Sequence, residues 1–277
     1  MTKRTIISIL SLIIIILLAY FSFSKYRNSS VTVKAPLGIS NTKENTFPEK
    51  KLEDVNDFYD ISIQYPLESR DKNQVIESFV TSKFVQKKED WKIGGLVYTA
   101  EKVVQKNFPD RSKMKYEYSV TYKKYESKKW NTTSYVFTTY EFVGGANGNI
   151  TVNTFTFNKD GILAIDTILD MTKSKDIELS RLLEGALITR GGENASKDMI
   201  RDGLGLSYLK ADGKTIDLKK CNCDGFLFAA NFQNFVVEDD GLRFLFNKYQ
   251  VAPGSDGLPE VLMNWNTLAA YTQAPFK

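Results

Sequence analysis

The chain has no histidine among its 277 residues. That absence removes the Ser-His-Asp and Cys-His arrangements, which need an imidazole base near neutral pH, and with them the imidazole-bearing zinc and non-haem iron sites. Cysteine is nearly absent as well, with two residues in the whole sequence, so neither a multi-disulfide scaffold nor a four-cysteine metal site can be assembled. Net charge is small as well. Lysine and arginine exceed aspartate and glutamate by only four, too little for net charge alone to indicate a nucleic-acid partner. The catalytic options left are a serine-lysine pair, a carboxylate pair or a bare thiol.

Apolar material is ample, at 42% hydrophobic and 13% aromatic residues, enough for a compact, two-lobed body of about 200 residues. One long hydrophobic run stands apart from that body. Between Lys3-Arg4 and Lys25, residues 5–23 carry no charge and are dominated by isoleucine and leucine. At ~1.5 Å per residue the run spans about 28 Å, close to the hydrocarbon thickness of a bilayer. The expectation is a single-pass membrane anchor over 1–24 with the body outside. A cleaved signal segment and a secreted product form the alternative, because Ser22-Phe23-Ser24 offers small residues at a cleavage spacing. Residues 25–57 are polar, contain Pro36 and Pro48, and read as a flexible tether.

Within the body the periodicities alternate between strand and helix. Tyr59 to Tyr65 alternates apolar and polar residues before Pro66, the pattern of a half-buried strand. Val75, Ile76, Phe79, Val80 and Phe84 then fall at helical spacing between Asp71 and Lys88. From Lys113 to Lys123, Met114, Tyr116, Tyr118, Val120 and Tyr122 occupy one strand face, with Lys113, Lys115 and Lys123 on the other. Strands over 132–142 and 150–157 follow, and the short connections call for an antiparallel meander. Asp160-Gly161 marks the next turn. A helix over 174–189, capped by Ser174 and stopped by Gly191-Gly192, a short helix over 196–201 and a β-rich end from Phe232 complete the expected α+β architecture.

The densest local signal is Tyr140-Glu141-Phe142-Val143-Gly144-Gly145-Ala146-Asn147-Gly148-Asn149, a glycine-rich turn between two β-rich runs. Its glycines permit positive φ or close backbone approach. A second signal is Asp239-Asp240-Gly241, a strand, Tyr249 and then Val251-Ala252-Pro253-Gly254. Together these resemble a bacterial extracytoplasmic module, the paired domains of unknown function of RsiV-type lysozyme-sensing anti-sigma factors and PdaC-type peptidoglycan deacetylases. The resemblance covers about 58–271. It implies a first, PdaC-like α+β domain over 58–160 and a second, RsiV-like one over 161–277, built of antiparallel sheets with a few packed helices. It also implies an envelope role, in which a lysozyme-like protein or cell-wall peptidoglycan is recognised; the lysine-rich stretch over 101–130 adds an anionic wall polymer as a candidate partner. Asn147 stands where the family shows histidine, and asparagine cannot accept a catalytic proton.

The binding candidates are therefore Gly144, Gly145, Asn147, Gly148 and Asn149 in the turn, and Lys113, Lys115, Lys123 and Lys124 in the lysine-rich stretch. Nine basic and four acidic residues lie between 101 and 130. Interleaved tyrosine and lysine also fits a nucleic-acid platform, but export across a membrane disfavours it. Cys221 and Cys223 project to one side if extended, although a disulfide across one residue is strained. They are read as a small or redox-active disulfide or as incidental thiols, with metal least favoured. Ser207 and Lys210 match a Ser-x-x-Lys spacing without its companion motifs. The expectation is a non-catalytic binding module without cofactor or metal, the alternative being an envelope hydrolase using Ser207 and Lys210 or an unrecognised carboxylate pair.

Overall fold

The computed structural model describes residues 48–108, 114–145, 147–220 and 231–276, the side chains of 173 and 174 excepted. The first strand, β1 (Glu49–Val55), pairs antiparallel with β2 (Tyr59–Pro66). Asn56 closes the turn between them, its Oδ1 accepting the N–H groups of Phe58 at 2.8 Å and Tyr59 at 3.0 Å. The segment read as tether up to residue 57 therefore ends earlier, at an ordered edge strand. In β2 the expected alternation holds, with Tyr59, Ile61, Ile63 and Tyr65 buried. Helix α1 (Arg70–Trp91) buries Ile76, Val80 and Trp91. A second helix, α2 (Leu96–Asn107), follows it.

β3 (Tyr116–Ser127) returns beside β2, in parallel register from Tyr59↔Tyr116 to Ile63↔Val120. This corrects the expectation of antiparallel sheets alone: two intervening helices supply the length that a parallel crossover requires. From there β4 (Thr132–Phe142), β5 (Asn149–Asn158) and β6 (Gly161–Leu163) run as the expected antiparallel meander, giving the sheet order β1-β2-β3-β4-β5-β6. β6 pairs with β5 through Asn158↔Gly161, so the first sheet continues past the boundary placed at residue 160. Rings and aliphatic groups of α1, β2, β3, β4 and β5 form one core, centred on Ile61, Ile63, Ile76, Tyr135 and Phe137.

The second sheet has the order β7-β8-β9, from β7 (Phe235–Val237), β8 (Gly241–Leu245) and β9 (Glu260–Asn264). Its helices are α3 (Ile165–Ile168), α4 (Lys173–Gly191), α5 (Lys197–Gly203) and α6 (Trp265–Leu268). The cap of α4 is Thr172 rather than Ser174, and Gly192 ends the helix at φ 56°. Leu179, Leu183, Leu204, Leu242, Phe244 and Phe246 belong to the second core. The two cores lie inside one compact unit, Phe47–Lys277. Among the described residues no helix is long and apolar enough to cross a membrane. The expected anchor over 6–23 lies outside them.

The face of β4 and β5 turned away from α1 packs on the second sheet, where Val136 and Val152 meet Val236 and Leu245. Polar side chains finish the junction. Ser134 Oγ and Thr156 Oγ1 lie 2.8 Å apart, and Ser134 Oγ accepts from Val237 N at 3.3 Å. Asn247 Oδ1 accepts from Val152 N at 2.8 Å, and Asn234 Oδ1 from Thr154 N at 3.1 Å. Those amides lie on the side of β5 that the three-residue β6 does not reach, so the second half of the body closes an edge that would otherwise be open to pairing.

Candidate functional site

A cleft of ≈ 530 Å³ opens where the amino-terminal end of α1 meets the β3–β4 turn and the β5–β6 hairpin. Each wall is placed by a local sequence feature. Lys72, in the first turn of α1, donates from Nζ to Thr133 Oγ1 at 3.2 Å. Asn131 sits at φ 49° in the turn before β4, a left-handed conformation that asparagine tolerates. Asn158 Oδ1 accepts Asp160 N at 2.8 Å and shapes the hairpin that carries Lys159. Val75, Phe157 and Ile162 add apolar surface. Asp71 and Asp160 balance Lys72 and Lys159, so the lining offers donors and acceptors of both kinds with no net charge. Such a surface suits a neutral, hydroxyl- and amide-rich ligand better than a polyanion.

A polar cluster lies beside the cleft. Lys124 Nζ is 3.2 Å from Glu68 Oε1 and 2.9 Å from Glu126 Oε1, with the Lys124 and Glu68 side chains 9% and 13% exposed. Tyr135, fully buried on the adjacent strand, has its hydroxyl pKa pushed well above the usual tyrosine value by desolvation and then by Glu68. Tyr122 donates to Glu49 Oε1 at 2.7 Å, and burial followed by that carboxylate raises its pKa too. Lys124 is thus a structural cation.

The residues expected to bind are spread over the body. The glycine turn joins β4 to β5, closing at Glu141↔Asn149. Gly145, Asn147 and Asn149 are exposed, while Gly144 and Gly148 are half-buried. Gly144 takes φ 81°, as expected for such a turn. Gly148 lies against a neighbour, since a Cβ there would meet the Tyr140 ring at 2.2 Å and oblige that ring to move, and its carbonyl accepts from Lys248 Nζ at 3.0 Å. Lys115 is exposed just before β3, at the same end of the sheet as this turn. Lys123 is exposed mid-strand, on the face opposite Lys124. Lys113, Cys221 and Cys223 lie outside the described residues. The expected lysine surface therefore divides. The cleft lies at the other end of β4, about 30 Å from the glycine turn at the usual strand rise.

Ser207 lies in a one-turn 3₁₀ helix that ends at Tyr208, and Leu209 is extended. Lys210 has left the helix before the turn that would carry its amine back to the hydroxyl. Asp239, expected in a hairpin turn, is found there and accepts from Ser127 Oγ at 2.6 Å and Lys129 N at 3.0 Å. The Ser127 hydroxyl, then the Lys129 amide, hold its pKa below the usual carboxylate value. It fastens the β3–β4 turn to the second sheet. Sequence reasoning marked Asp160-Gly161 as a turn and placed Val75 on a helix, but did not bring them together with Lys72, Asn131 and Thr133 as one cleft. Three separate segments build the wall, and no single stretch announces it.

The family model described as Deacetylase PdaC matches residues 52–150, and that described as a protein of unknown function, DUF3298, matches 196–266. No curated protein matches the chain. Among solved structures, a DUF3298 family member from Bacteroides fragilis NCTC 9343 is 16% identical, with a TM-score of 0.52 over 82% of this chain and 93% of that one. A DUF3298 family protein from Pseudomonas aeruginosa PAO1 is 12% identical, with a TM-score of 0.46 over 83% of this chain and 96% of that one. The Bacteroides structure shares the fold of this chain. The two matched regions are the pair that the motifs resemble: residues 52–150 are similar to the PdaC domain and residues 196–266 to DUF3298, a domain of unknown function.

Proposed function

We propose that the protein is a membrane-tethered, non-catalytic module of the bacterial cell envelope that binds cell-wall glycan in the cleft between α1 and the β5–β6 hairpin. The observation that carries this reading is the lining. Balanced charge, amides and hydroxyls around a small apolar floor provide the mixed donors and acceptors that a saccharide presents. The match of residues 52–150, which supply the α1 and β3–β4 walls of the cleft, to the PdaC model supports it, as does the resemblance to proteins that act on peptidoglycan. A membrane segment over 6–23 would hold the body outside the cell. A second reading, capture of a lysozyme-like protein, is favoured by the projecting glycine turn, where Val143, Gly145, Asn147 and Asn149 are all exposed.

The test is retention of the purified chain on peptidoglycan sacculi. Lys72→Ala combined with Asp160→Ala should lower the affinity about tenfold, two hydrogen-bonding groups being lost, while Asn147→Trp should leave it unchanged. Equal retention of both variants would refute the cleft. Lysozyme capture abolished by Asn147→Trp would establish the second reading, and glycan hydrolysis abolished by Ser207→Ala would establish an enzyme.

A further inference from the structure

Helix α2 sets Val97 and Tyr98 against the first core and leaves Leu96 and Val103 exposed. Its buried residues are Glu101 and Gln105, and Tyr116 donates to Glu101 Oε2 at 3.1 Å. Leu96 and Val103, two helical turns apart, are 87% and 59% exposed, and Ile93 before the helix and Phe108 after it are exposed too. Ala100 lies between Leu96 and Val103 on the same stripe and is exposed. Lysines border this face. Lys102 and Lys106 are exposed, Lys92 pairs with Glu89 at 2.9 Å, and within α2 the one carboxylate is the buried Glu101. Lys102 packs its amine 5.3 Å from the centre of the Tyr98 ring and donates to Gln105 Oε1 at 3.1 Å.

We infer that α2 and its flanks form a membrane-contacting surface, with Ile93, Leu96, Val103 and Phe108 entering the headgroup and acyl boundary of an anionic bilayer and the lysines lying among the lipid phosphates. An apolar helix face edged by lysine is the pattern of interfacial membrane helices. Lysine stems reach outward to the headgroups while their methylenes cover apolar surface. Charge decides against a second copy of the chain, because two such faces brought together would oppose like charges around a small apolar centre. Anionic lipid supplies the complementary sign. The inference takes the extracytoplasmic, anchored reading as its setting, since a tether of roughly 25 residues has a root-mean-square reach of about 28 Å and keeps the body near the bilayer.

The experiment mixes the full chain with vesicles of phosphatidylcholine alone or with added phosphatidylglycerol, measuring co-sedimentation and amide exchange of residues 96–107. Sedimentation with phosphatidylcholine reports the anchor. Exchange in α2 slowed about tenfold by phosphatidylglycerol, and lost both in Leu96→Asp with Val103→Asp and in Lys102→Gln with Lys106→Gln, reports the surface. Sedimentation without lipid-dependent protection overturns the inference while leaving the anchor intact. Sedimentation with phosphatidylglycerol alone, dependent on Leu96 and Val103, sustains the inference and removes the anchor. Protection that needs no vesicles and grows with protein concentration identifies a second copy and overturns it.

Discussion

Lys123 and Lys124 differ by one position and face opposite sides of β3. Lys123 is solvated, whereas Lys124 lies within ion-pair distance of Glu68 and Glu126. Charge reversal therefore separates the two. Lys123→Glu should change stability by no more than about 0.5 kcal/mol, and Lys124→Glu should cost about 3 kcal/mol or more, because it replaces a mostly buried cation beside Glu68 with a like charge. Urea melts of the two variants measure the difference. Asp212 is a second residue whose environment sets its chemistry. It accepts from Thr215 Oγ1 at 2.6 Å and from the N–H groups of Lys214 and Thr215 at 2.8 Å each. The Thr215 hydroxyl, then these amides, hold its pKa down to about 2. A depressed folded value means that the turn's stabilisation is complete above the unfolded value of about 3.9. It is lost as pH falls through about 2. A carboxyl-carbon NMR titration should find that midpoint, and Thr215→Val should move it upward.

Strand edges explain where element-level reading succeeds and fails. β2, β3 and β4 are legible because one face must be apolar, and the period-two pattern records it. β1 reads as tether because Glu49-Lys50-Lys51-Leu52-Glu53-Asp54-Val55 is mostly exposed and charged, as an edge strand must be to resist further pairing. α2 escapes notice because its apolar residues are split, Val97 and Tyr98 packing inward beside buried Glu101 and Gln105 while Leu96 and Val103 point outward. The other edge of the sheet is closed from a distance, by Asn234 and Asn247 on β5. Asn247→Ala should leave the amide of buried Val152 without its acceptor and cost about 1–3 kcal/mol. A lowered melting temperature together with faster exchange of the Val152 amide would show it, and unchanged exchange would mean that the edge is protected otherwise.

At the scale of the whole molecule, twelve of the fourteen tyrosines lie beyond residue 57, and the buried ones make the body sensitive to alkali rather than to mild acid. Burial pushes the Tyr118 hydroxyl up to about 12, against a lowering contribution from Thr139. The hydroxyls of Tyr122 and Tyr135 are raised further, by desolvation and then by Glu49 and Glu68 respectively. With folded values above the unfolded one, their stabilising contribution is complete below about pH 10. For Tyr118 it is lost as pH rises through about 12. Denaturant midpoints should therefore hold steady to about pH 10 and fall beyond it. Phenolate absorbance should appear with the unfolding transition. Phenolate formation in a still-folded body would show that these hydroxyls are less enclosed than the packing indicates.

Sequence by itself determined the α+β class, the β3–β4–β5 meander, the limits of α1 and α4 to within a few residues, and the resemblance to the PdaC and DUF3298 pair. Each of these is written in neighbouring residues, as an alternation, a helical spacing or a glycine at a turn. Only the tertiary structure decided the parallel β2–β3 pairing, the union of two cores through Val136, Val152, Val236 and Leu245, the enclosure of Lys124, and the cleft. Those features join residues from separate segments, and a linear pattern records which face a side chain takes without recording what stands opposite it.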